Sequence, residues 1–562
     1  MSVSYLCSND VLDVPYISFP DLLKKRAKDT PTKEICIFFD ENNERSVLTC
    51  GELYDKATKF ARALVQMGIK KGDIIGLSGR NVPEWLIADL GVQMAGGCSL
   101  CLPYQQKEED CVLLFNSIGN VKLLITDPGP DGQNHHAVKS IIDKMDSWDV
   151  PGLQQVILFF PHESLPSLYN VQDLCSDEID AALPRIDPED IAIILMSSGT
   201  TSLPKAIPHS HHALVVLSFH FVNGFKTNNE KEVLYNDRPF FWGGGYPYWE
   251  VGSGGTRVTL KNTLHLTSMA EAAVTACGII ARENATQALL APSMIDLILK
   301  RNINLKVQRI ITGSMVVYSS SLESIGKICD EYQVVYASTE LGFISTRIYT
   351  ADDKASVKYK VLSCRPVPGV EIKVTDDNGL LQPVGQQGKI WIRSFKRFPG
   401  YLNHTILSES EEYFRKSGWF SLDDGGFVTD DNFLIVEGRR QEMIQVFGRQ
   451  IYPVEIENVI KSKGNVIAAI VMPIKDMKTG DLVPSAAIIY RPQSEDSTES
   501  MQDYLRKEFN ITTENKLLGC LYVPHVIISL KEFPLLANGK PNRRAIRQII
   551  LGIVDKKKYD CS

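Results

Sequence analysis

Apolar residues recur at Leu53, Ala57, Phe60 and Leu64, directly after the segment Thr49-Cys50-Gly51-Glu52. A threonine followed three residues later by glutamate is a capping-box start, and the spacing behind it describes one buried helical stripe. Gly68 supplies the stop. Asp73–Leu77 then reads as a strand and Pro83–Gly91 as a second helix. Such alternation predicts a parallel α/β sheet with helices on both faces. Farther along, Ile191–Met196 and Ala213–Leu217 are apolar runs suited to buried strand or helix pieces, well short of the ~18 residues a membrane helix needs.

Near Glu437–Arg440 the pattern changes. Upstream lies the turn-rich run GWFSLDDGGFVTDDNFLIVEGRR. Downstream, the periodicity predicts a helix at Val454–Lys463, strands near Ala468–Val471 and Ala486–Tyr490, and a helix near Gln502–Phe509. The expected organisation is a large multi-subdomain α/β unit over residues 1–437 and a smaller α+β unit over 438–562. Two polar segments, Asp127–His136 and Asn228–Lys231, are too short to be interdomain linkers. At 562 residues the chain exceeds the ~250–300 at which one core stops growing, so more than one unit is required.

Composition narrows the partners. With 60 Lys+Arg against 67 Asp+Glu, the net charge of −7 leaves no basic footprint for nucleic acid. Twelve cysteines are too sparse for a disulfide scaffold. Cys98 and Cys101 form the one CxxC, and MAGGCSLCLPY reads as an apolar loop holding buried structural thiols. The opening MSVSYLCSNDVLD lacks the basic-then-apolar order of a secretory signal and is poor in arginine, and the final DCS is not an SKL-type address. An intracellular, cytoplasmic location is the expectation, with a mitochondrial one left open.

The strongest chemical signal is Ile191–Lys205, IAIILMSSGTTSLPK. An apolar strand delivers the chain into Ser197, Ser198, Gly199, Thr200, Thr201 and Ser202, closed by Lys205. Hydroxyls and free backbone N–H groups in a glycine-containing turn donate to anionic oxygens, and the lysine adds a compact positive charge, so the segment suits a triphosphate. The GxxxxGK[ST] spacing of a Walker A loop is absent.

SSGTTSLPK resembles the phosphate loop of the adenylate-forming superfamily of acyl-CoA synthetases, peptide-synthetase adenylation domains and beetle-type luciferases. Four more segments resemble that family's motifs in the same order. Tyr336-Ala337-Ser338-Thr339-Glu340 is similar to YGxTE, and Gly418-Trp419-Phe420 through Asp424 and Gly426 to GWFxTGDxG. Gly438-Arg439 through Gly448, Pro453, Glu455 and Glu457 is similar to GRxxDxIxxxGxxIxPxEIE. Pro534 through Asn538-Gly539-Lys540 and Arg543-Arg544 is similar to the terminal PxxxxGKxxRR.

The resemblance implies ATP-dependent activation of a carboxylate as an acyl-adenylate. Ser197, Ser198, Thr200, Thr201 and Lys205 would hold the β- and γ-phosphates, Thr339 would touch the α-phosphate, and Glu340 would hold Mg²⁺. Gly313, Ser314 and Tyr336 would frame adenine, while Asp424 and Arg439 would take the ribose. Lys540 would bridge the carboxylate and α-phosphate as they react. In the family the small domain then rotates, withdrawing the Lys540 side and presenting the Gly448 side for thioester formation, so residues 438–562 are expected to be mobile.

The pattern departs at several positions. Ser202 and Ala206 stand where loop glycines are usual, Leu422-Asp423 replaces the Thr-Gly lead before Asp424, and Gln441 and Gln445 replace charged residues of the hinge and second half-reaction. In RPFFWGGGYPYWE, Trp242 occupies the place of a gating aromatic or histidine, and Phe240, Phe241, Tyr246, Tyr248 and Trp249 are equally pocket wall or core. His209, His211 and His212 lack a partner acid or cysteine at ligand spacing, which favours a structural or substrate-adjacent role over a metal. The expected function is an acid–thiol ligase using ATP, Mg²⁺ and coenzyme A on a medium- or long-chain fatty acid, with an aryl acid also open. The alternatives are an ATP-dependent luciferase-like monooxygenase, a weakly active nucleotide-binding relative, and a carrier-protein-loading enzyme. No nucleic acid or membrane-spanning partner is expected.

Overall fold

The computed structural model describes residues 3–559, apart from 105–107, 130–139, 141–142, 144–149, 151, 164, 177, 198–203, 226–230, 262–267, 397, 404–408, 447–448, 476–481, 492–493, 495, 513–518, 520 and 535–540. The first predicted helix forms as Cys50–Gln66 with both halves of its capping box made: Glu52 N–H donates to Thr49 Oγ1 at 3.3 Å and Thr49 N–H to Glu52 Oε2 at 2.9 Å. It buries Leu53, Ala57, Phe60 and Leu64 against the helix Pro83–Met94, whose Trp85 is also buried.

Those helices cover a six-stranded sheet ordered Gln155–Leu158, Val121–Thr126, Ile74–Ser78, Cys98–Leu102, Ile191–Ser197 and Lys205–Ser210. It is parallel except for the last strand, which returns antiparallel with Lys205 opposite Ser197. Cys98 and Cys101 therefore lie on a central strand, not on the expected loop. They are buried there, and burial pushes both thiols up; no disulfide joins any two of the ten described cysteines.

A second sheet of nine strands has a parallel centre, Cys329–Ser338, Val307–Gly313, Gln287–Leu289, Val233–Tyr235, Thr256–Leu260 and Glu34–Phe39, and antiparallel edges. The chain runs from Val233–Tyr235 outward to Thr256–Leu260 and then jumps back to Gln287–Leu289 on the other side. Strand order thus reverses at Val233–Tyr235, the place where open α/β sheets form crevices at strand C-termini.

A five-stranded antiparallel sheet follows, ending in Asp424–Val428 and Leu434–Arg439. Beyond it, Ile444, Ile456, Ile460, Val471, Ile488, Leu505, Ile546 and their neighbours form a separate hydrophobic core. That core joins the helices Pro453–Ser462, Thr498–Glu508 and Arg543–Tyr559 to the strands Val466–Lys475, Leu482–Tyr490 and Val526–Ser529. Among the described residues no helix is long and apolar enough to cross a membrane.

Candidate active site

A cleft of about 2850 Å³ opens at the C-terminal ends of the nine-stranded sheet and reaches residues of both cores. Its lining includes Ser197, Lys205, Gly313, Ser314, Tyr336, Thr339, Glu340, Asp424 and Arg439. Nine residues separated by up to about 240 positions in sequence are thereby brought to one cavity. Ser198, Gly199, Thr200, Thr201, Ser202, Gly448 and Lys540 lie outside the described residues.

Asp424 opens its strand directly opposite Arg439 and is 6% exposed. Tyr336 Oη donates to Asp424 Oδ2 at 2.5 Å, and Arg439 Nε lies 3.1 Å from Oδ1. Burial raises this carboxyl above the usual carboxylate range, while Arg439 and then Tyr336 pull it back. Arg439 also donates to the Leu422 carbonyl. The preceding residue, Asp423, sits in the left-handed region at φ 64, where a glycine is the unstrained choice.

Glu340 is 9% exposed and accepts from Tyr401 Oη at 2.9 Å through Oε1. Lys205 Nζ stands 4.4 Å from the centre of the Tyr401 ring, a cation–π contact. Beneath them Lys396, 1% exposed, donates through Nζ to the carbonyls of Glu340 at 2.6 Å and Thr339 at 3.2 Å. Burial lowers its ammonium to about 7, opposed by Glu340.

Ala206 lies in the extended strand Lys205–Ser210, its N–H bonded to Asn403 Oδ1 at 2.9 Å, so its missing glycine carries no backbone strain. Gly313 ends its strand opposite Val335, and Ser314 turns the chain at φ 66.

The loop after Val233–Tyr235 is held from below by Arg257, which is wholly buried. Its guanidinium donates to the carbonyls of Asn236 at 3.0 Å, Arg238 at 2.9 Å and Gly245, and packs 4.7 Å from the Phe240 ring. Asn81 adds two bonds: Nδ2 to the Arg238 carbonyl at 3.1 Å, and Oδ1 from Phe240 N–H at 2.9 Å. A Cβ on Gly245 would fall 2.0 Å from the Pro239 carbonyl, so only glycine closes this turn. Phe240, Phe241 and Tyr246 are core, Tyr246 with an edge on the cleft, whereas Trp242 is half-buried and faces it. Tyr246 Oη bonds the buried Asp89 at 2.6 Å, where burial pushes the carboxyl up to about 6.

His209 lines the cleft with both ring nitrogens buried and, among the described residues, without hydrogen-bond partners, and burial, then Lys396, holds it well below its usual range. Burial brings His211 down to about 4. Among the described residues no three His, Cys, Asp or Glu side chains are grouped to hold a metal.

Gln441 and Glu442 line the cleft from the hinge. Arg543 lies 3.7 Å from Glu442, and its Nη2 lies 2.8 Å from Glu457 Oε1, which also accepts from Val471 N–H at 2.9 Å. Two terminal motif residues therefore brace each other inside the second core. Across the hinge, the ring of Tyr452 rests on Gly425 and Gly438: a Cβ at Gly425 would lie 1.8 Å from Tyr452 Oη, and one at Gly438 3.1 Å from its Cδ1.

Sequence reasoning passed over Tyr401, Lys396, Arg238 and Tyr452. For the first two a signal existed: a lysine flanked by two phenylalanines in SFKRFPGYLN, followed by Gly-Tyr.

Two α/β layers, an antiparallel sheet and a small α+β unit around a large cleft define the adenylate-forming fold. A family model described as "AMP-binding enzyme" matches residues 23–402, and the chain belongs to that family. The 4-coumarate–CoA ligase CCL1 of Humulus lupulus is 25% identical over 520 residues, covering 89% of this chain and 88% of the relative. A ligase of Rhodococcus jostii (strain RHA1), named for joining CoA to a methyl-dioxo-octahydroindenyl propanoyl group, is 22% identical over 516 residues, covering 89% and 93%. Among solved structures, the anthranilate CoA ligase AuaEII in complex with anthranoyl-AMP superposes with a TM-score of 0.78 at 19% identity, covering 96% of this chain and 98% of the other.

Proposed function

We propose that the protein is an AMP-forming acid–thiol ligase that uses ATP, Mg²⁺ and coenzyme A. The observation that carries the reading is the buried Asp424, fixed by Tyr336 and Arg439 in the same cleft as Thr339, Glu340 and Lys205. A carboxylate with two oriented oxygens is an acceptor for a ribose diol, since each oxygen can take one hydroxyl. Ser197 and Lys205 face the triphosphate, together with Ser198, Gly199, Thr200, Thr201 and Ser202 of the same loop. Gly313, Ser314 and Tyr336 frame the base.

The residues present fit magnesium. Glu340 Oε1 is taken by Tyr401, leaving Oε2 without a protein donor among the described residues. Mg²⁺ is commonly held by one or two carboxylates plus phosphate oxygens rather than by a protein cage. When bound at Glu340 the ion supplies charge neutralisation on the phosphates.

In the first half-reaction a carboxylate oxygen of the acid bonds to the α-phosphorus as the bond to pyrophosphate breaks. Thr339 donates to the α-phosphate, and Lys540, arriving from the C-terminal unit, bridges the reacting groups. Residues 438–562 act as a second, mobile domain; its reorientation brings the Gly448 side forward for thioester formation with release of AMP. Leu195, Leu214, Leu217, Phe221 and Phe343 line the cleft and suit the apolar body of a medium- or long-chain fatty acid. The names of the curated relatives support an aryl acid as a second reading.

Pyrophosphate release with ATP and a panel of fatty and aryl acids, each with and without CoA, tests the proposal. Release with acid alone and thioester only with CoA is expected; no release with any acid overturns it.

A further inference from the structure

Arg238 is a cation on the cleft wall to which the proposed adenylation chemistry gives no role. Its backbone is held on both polar groups: the carbonyl accepts from both Arg257 and Asn81, and its N–H donates to Asn236 Oδ1 at 3.2 Å. The guanidinium, by contrast, makes no hydrogen bond and no ion pair among the described residues. It lies against the face of Trp242, 5.1 Å from the ring centre, and its Nη1 is 3.4 Å from where a Cβ on Gly244 would be. Arg238, Trp242, Gly243 and Gly244 all line the cleft. The neighbouring Gly243 is where a Cβ would stand 3.8 Å from Thr339 Oγ1, so the cation sits one residue along the loop from the α-phosphate threonine.

Burial works against this charge and brings it down to about 10; Asp237 favours it and the like-charged Arg257 opposes it. The guanidinium is half-buried on the cleft wall with five donors and no protein acceptor among the described residues, and its planar fork matches a carboxylate. Trp242 fixes the plane of that fork, and Gly244 leaves open the space in front of it.

We propose that Arg238 binds a second carboxylate on the acid substrate, so that the enzyme selects dicarboxylic acids whose far end reaches this guanidinium. The proposal rests on the adenylation reading for the identity of the cleft and extends it to the substrate class.

The test compares adipate with hexanoate, suberate with octanoate, and terephthalate with 4-methylbenzoate. ATP–pyrophosphate exchange without CoA gives kcat/KM for each pair, and calorimetric binding of each acid to the enzyme without ATP gives affinity. In the wild type the diacid is preferred in at least one pair. Arg238→Leu lowers that preference by about tenfold or more, the loss expected for a charge-assisted pair, and Arg238→Lys restores part of it. An unchanged ratio in Arg238→Leu overturns the proposal, as does a wild type that favours the monoacid in every pair. A raised KM for CoA with unchanged acid ratios also overturns it, assigning the guanidinium to a phosphate of the thiol substrate. Arg238-dependent binding of a diacid without pyrophosphate exchange leaves this proposal standing and removes the adenylation reading instead.

Discussion

The ammonium of Lys396 ends 2.6 Å from the carbonyl oxygen of Glu340, joining the end of the five-stranded sheet to the segment whose carboxylate is proposed to hold magnesium. A buried lysine bonded to two consecutive carbonyls fixes the peptide between Thr339 and Glu340. It is a positioning residue, because it reaches the reacting atoms only through that peptide.

Its acidity gives a pH signature. The unfolded chain keeps the Lys396 proton to about 10.5, the folded one only to about 7. Between those values the unfolded state binds more protons, so raising the pH favours folding, and below them the full burial penalty applies. Relative to Lys396→Gln, the wild type should gain stability between about pH 6 and about pH 9 in urea melts, and parallel curves would refute the assignment. At fixed pH, kcat for pyrophosphate exchange should drop about tenfold in the variant, since small misplacements of catalytic groups carry large rate penalties.

Asp424→Asn keeps the shape but removes the charge that faces Arg439. One charge-assisted hydrogen bond to the nucleotide weakens, and KM for ATP should rise about tenfold or more with the fold intact by circular dichroism. An unaltered KM would exclude the ribose role.

Asp423 holds a left-handed conformation at φ 64. Asp423→Gly should stabilise the protein by about 1 kcal/mol, the typical penalty of that region for a residue with a side chain, read from denaturant midpoints at constant slope. Lower stability would mean that the aspartate side chain contributes more than its backbone strain costs.

Arg543→Ala would leave Glu457, which is 3% exposed, with Lys461 at 3.8 Å as its one remaining ion-pair partner among the described residues. Stranding a buried carboxylate costs about 3 kcal/mol, so the C-terminal core should melt at lower denaturant. Arg543→Met paired with Glu457→Met should recover most of the loss; a double variant as weak as the single one would show that the charges are not the cause.

What was legible in the sequence was local. Thr49 and Glu52 announce a helix because both capping bonds close within four residues, and the motif around Tyr336–Glu340 is one continuous piece of chain. The supports beneath the site are not local. Lys396 meets Glu340 across 56 positions and Asn81 meets Arg238 across 157, and neither pairing leaves a periodic trace. Cys98 and Cys101 were expected in a loop because Gly96-Gly97 and Pro103 flank them as turn signals. The five residues between are instead a strand hemmed in by Ile74–Ser78 and Ile191–Ser197.

The seat of Tyr452 has a mechanical corollary. Two bare backbone positions on the paired strands Asp424–Val428 and Leu434–Arg439 receive one aromatic ring like a tongue in a slot, so a reorientation hinged beyond Arg439 would have to vacate both at once. A methyl group at Gly438, where φ is 144 and a side chain is strained in itself, would act as a wedge there, biasing the molecule against this docked posture. On the proposed two-step reaction, the relative speeds of adenylation and thioester formation should thus be adjustable at the slot.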